Sequence, residues 1–319
     1  MYPFRNILFP TDFSPNSQAA LKYAAAFARS GHGRVVVLNV QGAKVPENVL
    51  QLLENDLAEQ SKQWLRQLIS DAKTLLSNPA FRGVDVETIF VDGEAPTAIA
   101  QAAMDHGIDL MTVVMRGGRK RFSRAFGGSI AEEIVAESPC AVLAVRPPQR
   151  DFVAENHDLR LHRILLATNF RPSSAAATQL ATQMANHSNA ELHAVYVIGD
   201  YFDQISSLFP EGGLAALTRL RSYVEERMTQ LARNDGPQGT LTHVAEGRPY
   251  EEIVRLAVRL EADLIVIGTA VHNALFGGTP VLGSDIERVI RNAPCPVLCV
   301  PAAKVLTPLP AFVTQAVTT

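Results

Sequence analysis

Met115 to Ser129 read Met-Arg-Gly-Gly-Arg-Lys-Arg-Phe-Ser-Arg-Ala-Phe-Gly-Gly-Ser, between an apolar run, Leu110 to Val114, and an amphipathic one, Ile130 to Ala136. A short apolar run, a glycine-rich loop and a helical pattern in that order spell strand, turn and helix, the unit from which parallel α/β sheets are built. The loop is also cationic and ends in Gly-Ser where the helix begins. Glycines let bare amides approach a ligand, and the dipole of the helix favours negative charge at its start, so this is a candidate phosphate cradle. The basic residues Arg116, Arg119, Lys120, Arg121 and Arg124 either neutralise phosphates or form a solvated loop. Without an aromatic platform beside them they do not point to nucleic acid.

The same alternation extends on both sides. Asn6 to Pro10 is an apolar strand entering the polar turn Thr11-Asp12-Phe13-Ser14-Pro15, and Ser17 to Arg29 has helical spacing ended by Gly31 and Gly33. Arg34 to Val40 is a second strand, apolar on both faces as in a buried parallel sheet. Glu47 to Leu76 predicts one long amphipathic helix. Val84 to Val91 predicts a third strand, Asp92-Gly93-Glu94-Ala95-Pro96 a turn, and Thr97 to His106 a helix. Asp109 to Met115, Ile130 to Glu137 and Ala141 to Val145 complete a strand, helix and strand.

The second half repeats the first. Arg163-Ile-Leu-Leu-Ala-Thr-Asn-Phe170 echoes Arg5 to Phe13, and Glu191 to Val197 echoes the second strand. Ala262-Asp-Leu-Ile-Val-Ile-Gly268 echoes Ile108 to Val114, and Ala293 to Val300 echoes Ser138 to Val145, all at an offset of about 155 residues. The reading is a tandem duplication: a first domain over 1–147, a linker over 148–161, a second domain over 162–302 and an apolar tail over 303–319. Two domains of that size can each bury a core.

A net charge of -3 gives no general affinity for nucleic acid or anionic membranes. No apolar run approaches the roughly 18 residues of a membrane helix, and Met1 to Phe13 carries no leader pattern, so a cytoplasmic protein is expected. Cys140, Cys295 and Cys299 suit reduced strand residues rather than a disulfide framework, and no zinc spacing occurs.

Both copies resemble the universal stress protein family. The resemblance rests on Ile-Leu-x-x-Thr-Asp/Asn at the start of each copy, the Gly-x-Pro turn, Asp-Leu before the fourth strand, the Gly-Ser cradle and the closing Pro-Cys-x-Val-Leu-x-Val. It implies two tandem doubly wound domains, each a five-stranded parallel sheet with helices on both faces, related by pseudo-twofold symmetry and brought face to face. It also implies pairing through edge or last strands, here Val142 to Val145 and Val297 to Val300, satisfied within a monomer or extended in a homodimer.

The implied ligand is an adenine nucleotide, ATP with or without Mg2+, in a nucleotide-responsive stress module with protein partners that the sequence does not identify. Carried over residue by residue, the first copy offers Pro10, Thr11 and Asp12 for ribose or adenine, a backbone group at Val40 for the adenine edge, and Gly118, Gly128, Ser129 and the helix start Ile130 for phosphates. Met115 is read at the first glycine position of the family's Gly-x2-Gly-x9-Gly-Ser pattern. The second copy offers Asn169, Val197, Gly268, Gly283 and Ser284. Its Asn169 lacks the charge, and its loop is longer by two residues, so the first domain is expected to be the better binder.

Competing readings are a nucleotide-free interaction scaffold and a weak ATPase. The chain has no Gly-Lys-Ser/Thr, no His-Glu-x-x-His and no Gly-x-Ser-x-Gly. Any hydrolysis is therefore expected to be slow, and no residue is assigned a catalytic role.

Overall fold

Strands rich in Val, Ile and Leu cannot expose either face to water, and in the computed structural model helices cover both. The structure describes residues 2–41, 54–115, 130–147, 149–199, 213–269 and 282–302. Gly118, Gly128 and Ser129, the start of the long helix expected from Glu47, and the tail lie outside these residues.

The first copy runs β1 (Asn6–Pro10), α1 (Leu21–Gly31), β2 (Arg34–Gln41), α2 (Glu54–Leu76), β3 (Asp85–Asp92), α3 (Ala95–Asp105), β4 (Leu110–Val114), α4 (Ile130–Glu137) and β5 (Ala141–Val145). The second runs β6 (Arg163–Ala167), α5 (Pro172–Ser188), β7 (Glu191–Ile198), α6 (Gly213–Asn234), β8 (Leu241–Glu246), α7 (Pro249–Arg259), β9 (Leu264–Thr269), α8 (Ser284–Asn292) and β10 (Val297–Pro301). Within each copy the five strands are parallel, in the orders β3-β2-β1-β4-β5 and β8-β7-β6-β9-β10. The order reverses between β1 and β4 and again between β6 and β9, the two places where a doubly wound sheet opens a crevice.

The copies meet side by side rather than face to face. β5 and β10 pair antiparallel, with Cys299 opposite Val142 and Val297 opposite Ala144, and fuse the two sheets into one of ten strands. A last strand left alone would present unpaired amides and carbonyls to solvent, and each copy removes the other's free edge. Side chains on both faces tie the same junction. Arg291 Nε and Nη2 donate to Glu132 Oε1 at 2.9 and 2.7 Å. On the other face the Tyr2 ring meets His187 edge-on at 4.9 Å.

Period-two alternation assigns each strand residue to one of two cores. Ile7 and Phe9 belong to the core that also takes in α1 and α5 residues, while Leu8 belongs to the one that takes in those of α3, α4, α7 and α8. The segment read as a linker packs on the first domain. Phe152 is buried against Tyr23, with ring centroids 4.9 Å apart, and Val153 forms an isolated bridge with Leu159.

The helix end after α1 also differs from expectation. The left-handed residue there is His32, at φ 51, not a glycine. Gly31 and Gly33 are required for closeness, because a Cβ would fall 1.8 Å from Phe4 O and 1.9 Å from Arg5 O respectively.

Candidate functional site at the strand ends

Parallel pairing of β1 with β4 brings their carboxyl ends together. Ile7 stands opposite Leu110 and Leu8 opposite Met111. Continued past the strands, that register sets Asp12 level with Met115.

The turn after β1 is held from below. Thr11 is buried, its N–H donates to Leu38 O at 2.8 Å, and its carbonyl accepts from Asn39 Nδ2 at 2.8 Å. Its Oγ1 accepts from Phe13 N at 2.9 Å and pairs with Ser17 Oγ at 2.8 Å. Gln41 Nε2 in turn donates to Asn39 Oδ1. These bonds hold Phe13 at φ 58, a left-handed conformation that costs a bulky residue on the order of 1–3 kcal/mol. Asp12, on top of this brace, is exposed, and its Oδ1 accepts from Ser14 N at 3.0 Å and Ser14 Oγ at 2.6 Å. Asn39 was not among the expected site residues. Its signal was available, as a lone amide inside Val-Val-Val-Leu-Asn-Val.

Pro10 ends β1 half-buried, and Val40 lies half-buried beside Asn39 on β2. Met115 is buried in the core on the α3 and α4 side, and its N–H donates to Val145 O at 2.7 Å. Ile130 is the first residue of α4, whose first turn carries Glu132 and Glu133. These acids oppose an anion at that helix start, but Arg291 neutralises Glu132.

The second copy builds the same turn with other chemistry. Thr168 N donates to Val195 O at 3.0 Å, and Phe170 again takes φ 59. Asn169 Oδ1 accepts from Ser174 Oγ at 2.7 Å and Arg171 N at 3.1 Å. The position matching Asn39 is Tyr196, whose ring stacks on Phe170 at 5.0 Å, and Arg227 covers Phe170 at 5.1 Å. An aromatic and cationic stack thus stands where the first copy has an amide network. Val197 is half-buried beside it, while Gly283 caps α8 and Ser284 opens that helix, exposed.

Two aspartates anchor the internal symmetry. Asp109 Oδ2 accepts from Arg5 N and Asn6 N, and Asp263 Oδ2 accepts from His162 N and Arg163 N, so the two aspartates correspond. Counting from them, Gly268 matches Val114, and Met115 matches Thr269. Gly268 is needed where it stands, since a Cβ would lie 2.3 Å from Ser173 O at the start of α5. In the first copy, where Val114 carries that Cβ, the chain at Ser17–Ala20 is a 3-10 turn and the α-helix begins only at Leu21.

Among the described residues the remaining titratable groups form no catalytic constellation. Burial pushes the Cys295 and Cys299 thiols up to about 12, so both are inert at neutral pH, and all three cysteines are free and buried. Among the described residues no group of three or more His, Cys, Asp or Glu is placed to hold a metal, and no helix is long and apolar enough to cross a membrane.

The sequence model described as the universal stress protein family matches residues 3–146 and 160–301. The chain belongs to the universal stress protein family. A universal stress protein of Methanocaldococcus jannaschii is 32% identical over 162 residues, covering 48% of this chain and 89% of that protein, so one family domain aligns with about half of the tandem. The crystal structure of a universal stress protein from Archaeoglobus fulgidus superposes with a TM-score of 0.59 at 21% identity, covering 93% of this chain and 98% of that one. A functionally unknown protein from Pseudomonas aeruginosa gives a TM-score of 0.59 at 19% identity, covering 93% and 92%. The last two likenesses concern the fold, and they extend it across both domains.

Proposed function

We propose that this tandem universal stress protein is a cytoplasmic regulatory module of the stress response that binds ATP mainly in its first domain. The observation carrying this reading is the contrast between the two strand-end turns. In the first copy, Asn39 and Thr11 hold an exposed carboxylate, Asp12, above the β1–β4 crevice. In the second, Tyr196 stands in the place of Asn39 and stacks on Phe170, which Arg227 covers, and the acid is replaced by an amide.

In this reading Asp12 accepts hydrogen bonds from the ribose or the adenine amine, and a backbone group at Val40 meets the adenine edge. Gly118, Gly128, Ser129 and the N–H of Ile130 surround the phosphates, and Mg2+ enters on the phosphates rather than on protein ligands. A charged acceptor makes hydrogen bonds of roughly 1.5–3 kcal/mol, against about 1 kcal/mol for the neutral amide of Asn169. The module acts by binding, and ATP alters its choice of protein partner only through different affinities for two states.

Calorimetric titration of the full chain with ATP and magnesium tests this. Asp12→Ala is expected to weaken binding about tenfold or more, and Asn169→Ala to leave it unchanged. No binding at millimolar ATP would select the nucleotide-free scaffold, and a larger loss with Asn169→Ala would reverse the assignment of domains.

A further inference from the structure

On the outer edge of the second domain, away from either strand-end crevice, a cleft of about 280 Å³ lies between β8 and α7. Its polar walls are Thr242, His243, Glu252, Arg255 and Arg259. At roughly 30 Å³ per water this is room for about nine waters, enough for a tetrahedral anion with part of its hydration. Arg255 is bonded to Glu252, which cancels one charge, whereas Arg259 has no carboxylate within ion-pair distance among the described residues. Two guanidinium groups against one carboxylate leave the cleft cationic.

The histidine in this wall is backed by a second one. His243 Nε2 lies 3.1 Å from His193 Nδ1, with the rings stacked at 5.3 Å. His193 is buried, and its Nε2 has no hydrogen-bond partner, the nearest acid oxygen being Glu191 Oε2 at 3.5 Å. A proton on His193 Nε2 faces that carboxylate, so His193 Nδ1 accepts from His243 Nε2–H and His243 Nδ1 is left to take up a proton. Glu191, which Arg163 of β6 also approaches, supplies negative charge behind the pair, while Arg255, Arg259 and Glu252 face it from α7.

We propose that this cleft binds an oxyanion of the sulfate or phosphate class, held by Arg259, Arg255 and His243, with His193 and Glu191 as positioning groups behind. The proposal is independent of the nucleotide reading, which concerns the first domain. The charge balance supports it. Burial first, then His193 and Arg259, hold the His243 pKa below the ordinary histidine value. An anion in the cleft supplies the counter-charge that the imidazolium lacks, so binding and protonation of His243 favour each other.

The test is a sodium sulfate titration of the full chain at constant ionic strength and slightly acid pH, followed through the imidazole NMR resonances of His243. Sulfate stays dianionic across this range, so tighter binding at lower pH reports the histidine and not the ligand. A saturable shift is expected, weakened about tenfold in Arg259→Ser and largely kept in Arg259→Lys, which preserves the charge at the end of α7. Arg221→Ser, an exposed cation on α6, is the control and leaves it unchanged. A parallel titration with a nucleoside monophosphate separates the sources: equal affinity indicates a free inorganic anion, and tighter binding a phosphoryl group on a larger ligand. A shift that never saturates, that chloride reproduces, or that persists in Arg259→Ser overturns the proposal.

Discussion

Asn39 Nδ2 donates to the Thr11 carbonyl at 2.8 Å, and through this bond the second strand fixes the turn that carries Asp12. Both residues are buried, so the carbonyl has no water to replace the amide. Asn39→Leu is expected to destabilise the chain by about 1–3 kcal/mol, the cost of an unsatisfied buried polar group. It should also weaken ATP binding, because Asp12 loses its support. Urea denaturation beside an ATP titration checks both. Unchanged stability would mean that the turn is held by Thr11 N and Oγ1 alone.

The pair Gly268 and Val114 predicts an asymmetry between symmetric positions. Gly268→Val places a side chain against backbone at Ser173, which cannot move without shifting α5, and overpacking of this kind costs about 1–3 kcal/mol. Val114→Gly creates no clash and loses mainly half-buried packing and chain entropy, about 1 kcal/mol. Denaturant midpoints of the two variants measure the difference. Equal costs would show that the helix start in the second domain yields freely.

Arg291 and Glu132 join the two domains at a place where the acid is buried and the base half-exposed. Since Arg291 is 53% exposed, solvent screens its attraction, and Arg291→Ala is expected to cost about 1–2 kcal/mol, part of it from a buried carboxylate that loses the two guanidinium donors. Glu132→Gln in the same background should recover some of that loss. A double-mutant cycle on thermal unfolding gives the coupling, and a value near zero would remove this pair from the domain junction.

His243 predicts how stability depends on pH in the absence of oxyanions. Its folded pKa lies below the ordinary value of about 6.5, so the unfolded chain takes up the proton first as pH falls. This contribution to stability is fully present above about pH 6.5 and is lost as pH falls toward the lower folded value, below which both states are protonated. In chloride buffer, melting temperatures between neutral and mildly acid pH should drop less in His243→Gln than in the parent chain. Parallel curves would show that His243 does not contribute to the acid sensitivity.

The duplication, the order of strands and helices, the two faces of each strand and the strand-end position of Asp12 were legible in the sequence. These follow from features local to the chain: alternation with period two, helical spacing, capping residues, and motifs recurring at a fixed offset. Of the three cysteines expected in strands, only Cys299 lies in one, where its apolar run made its burial legible; Cys140 and Cys295 are buried in the bends that enter β5 and β10.

Tertiary structure decided what depends on residues distant in the chain. That β5 and β10 would meet edge to edge was implied by the family resemblance, but whether they meet within one chain could not be read from either strand, because each carries the same free hydrogen-bonding edge whatever partner completes it. Asn39 looked like an interruption in an apolar strand until Thr11 O was placed above it. Phe170 and Tyr196 gave no sign of stacking, since they stand 26 positions apart and only the pairing of β6 with β7 brings the turn after β6 beside Tyr196. In each case the sequence states which groups must be buried or satisfied, and the packing of the sheet selects the group that satisfies them.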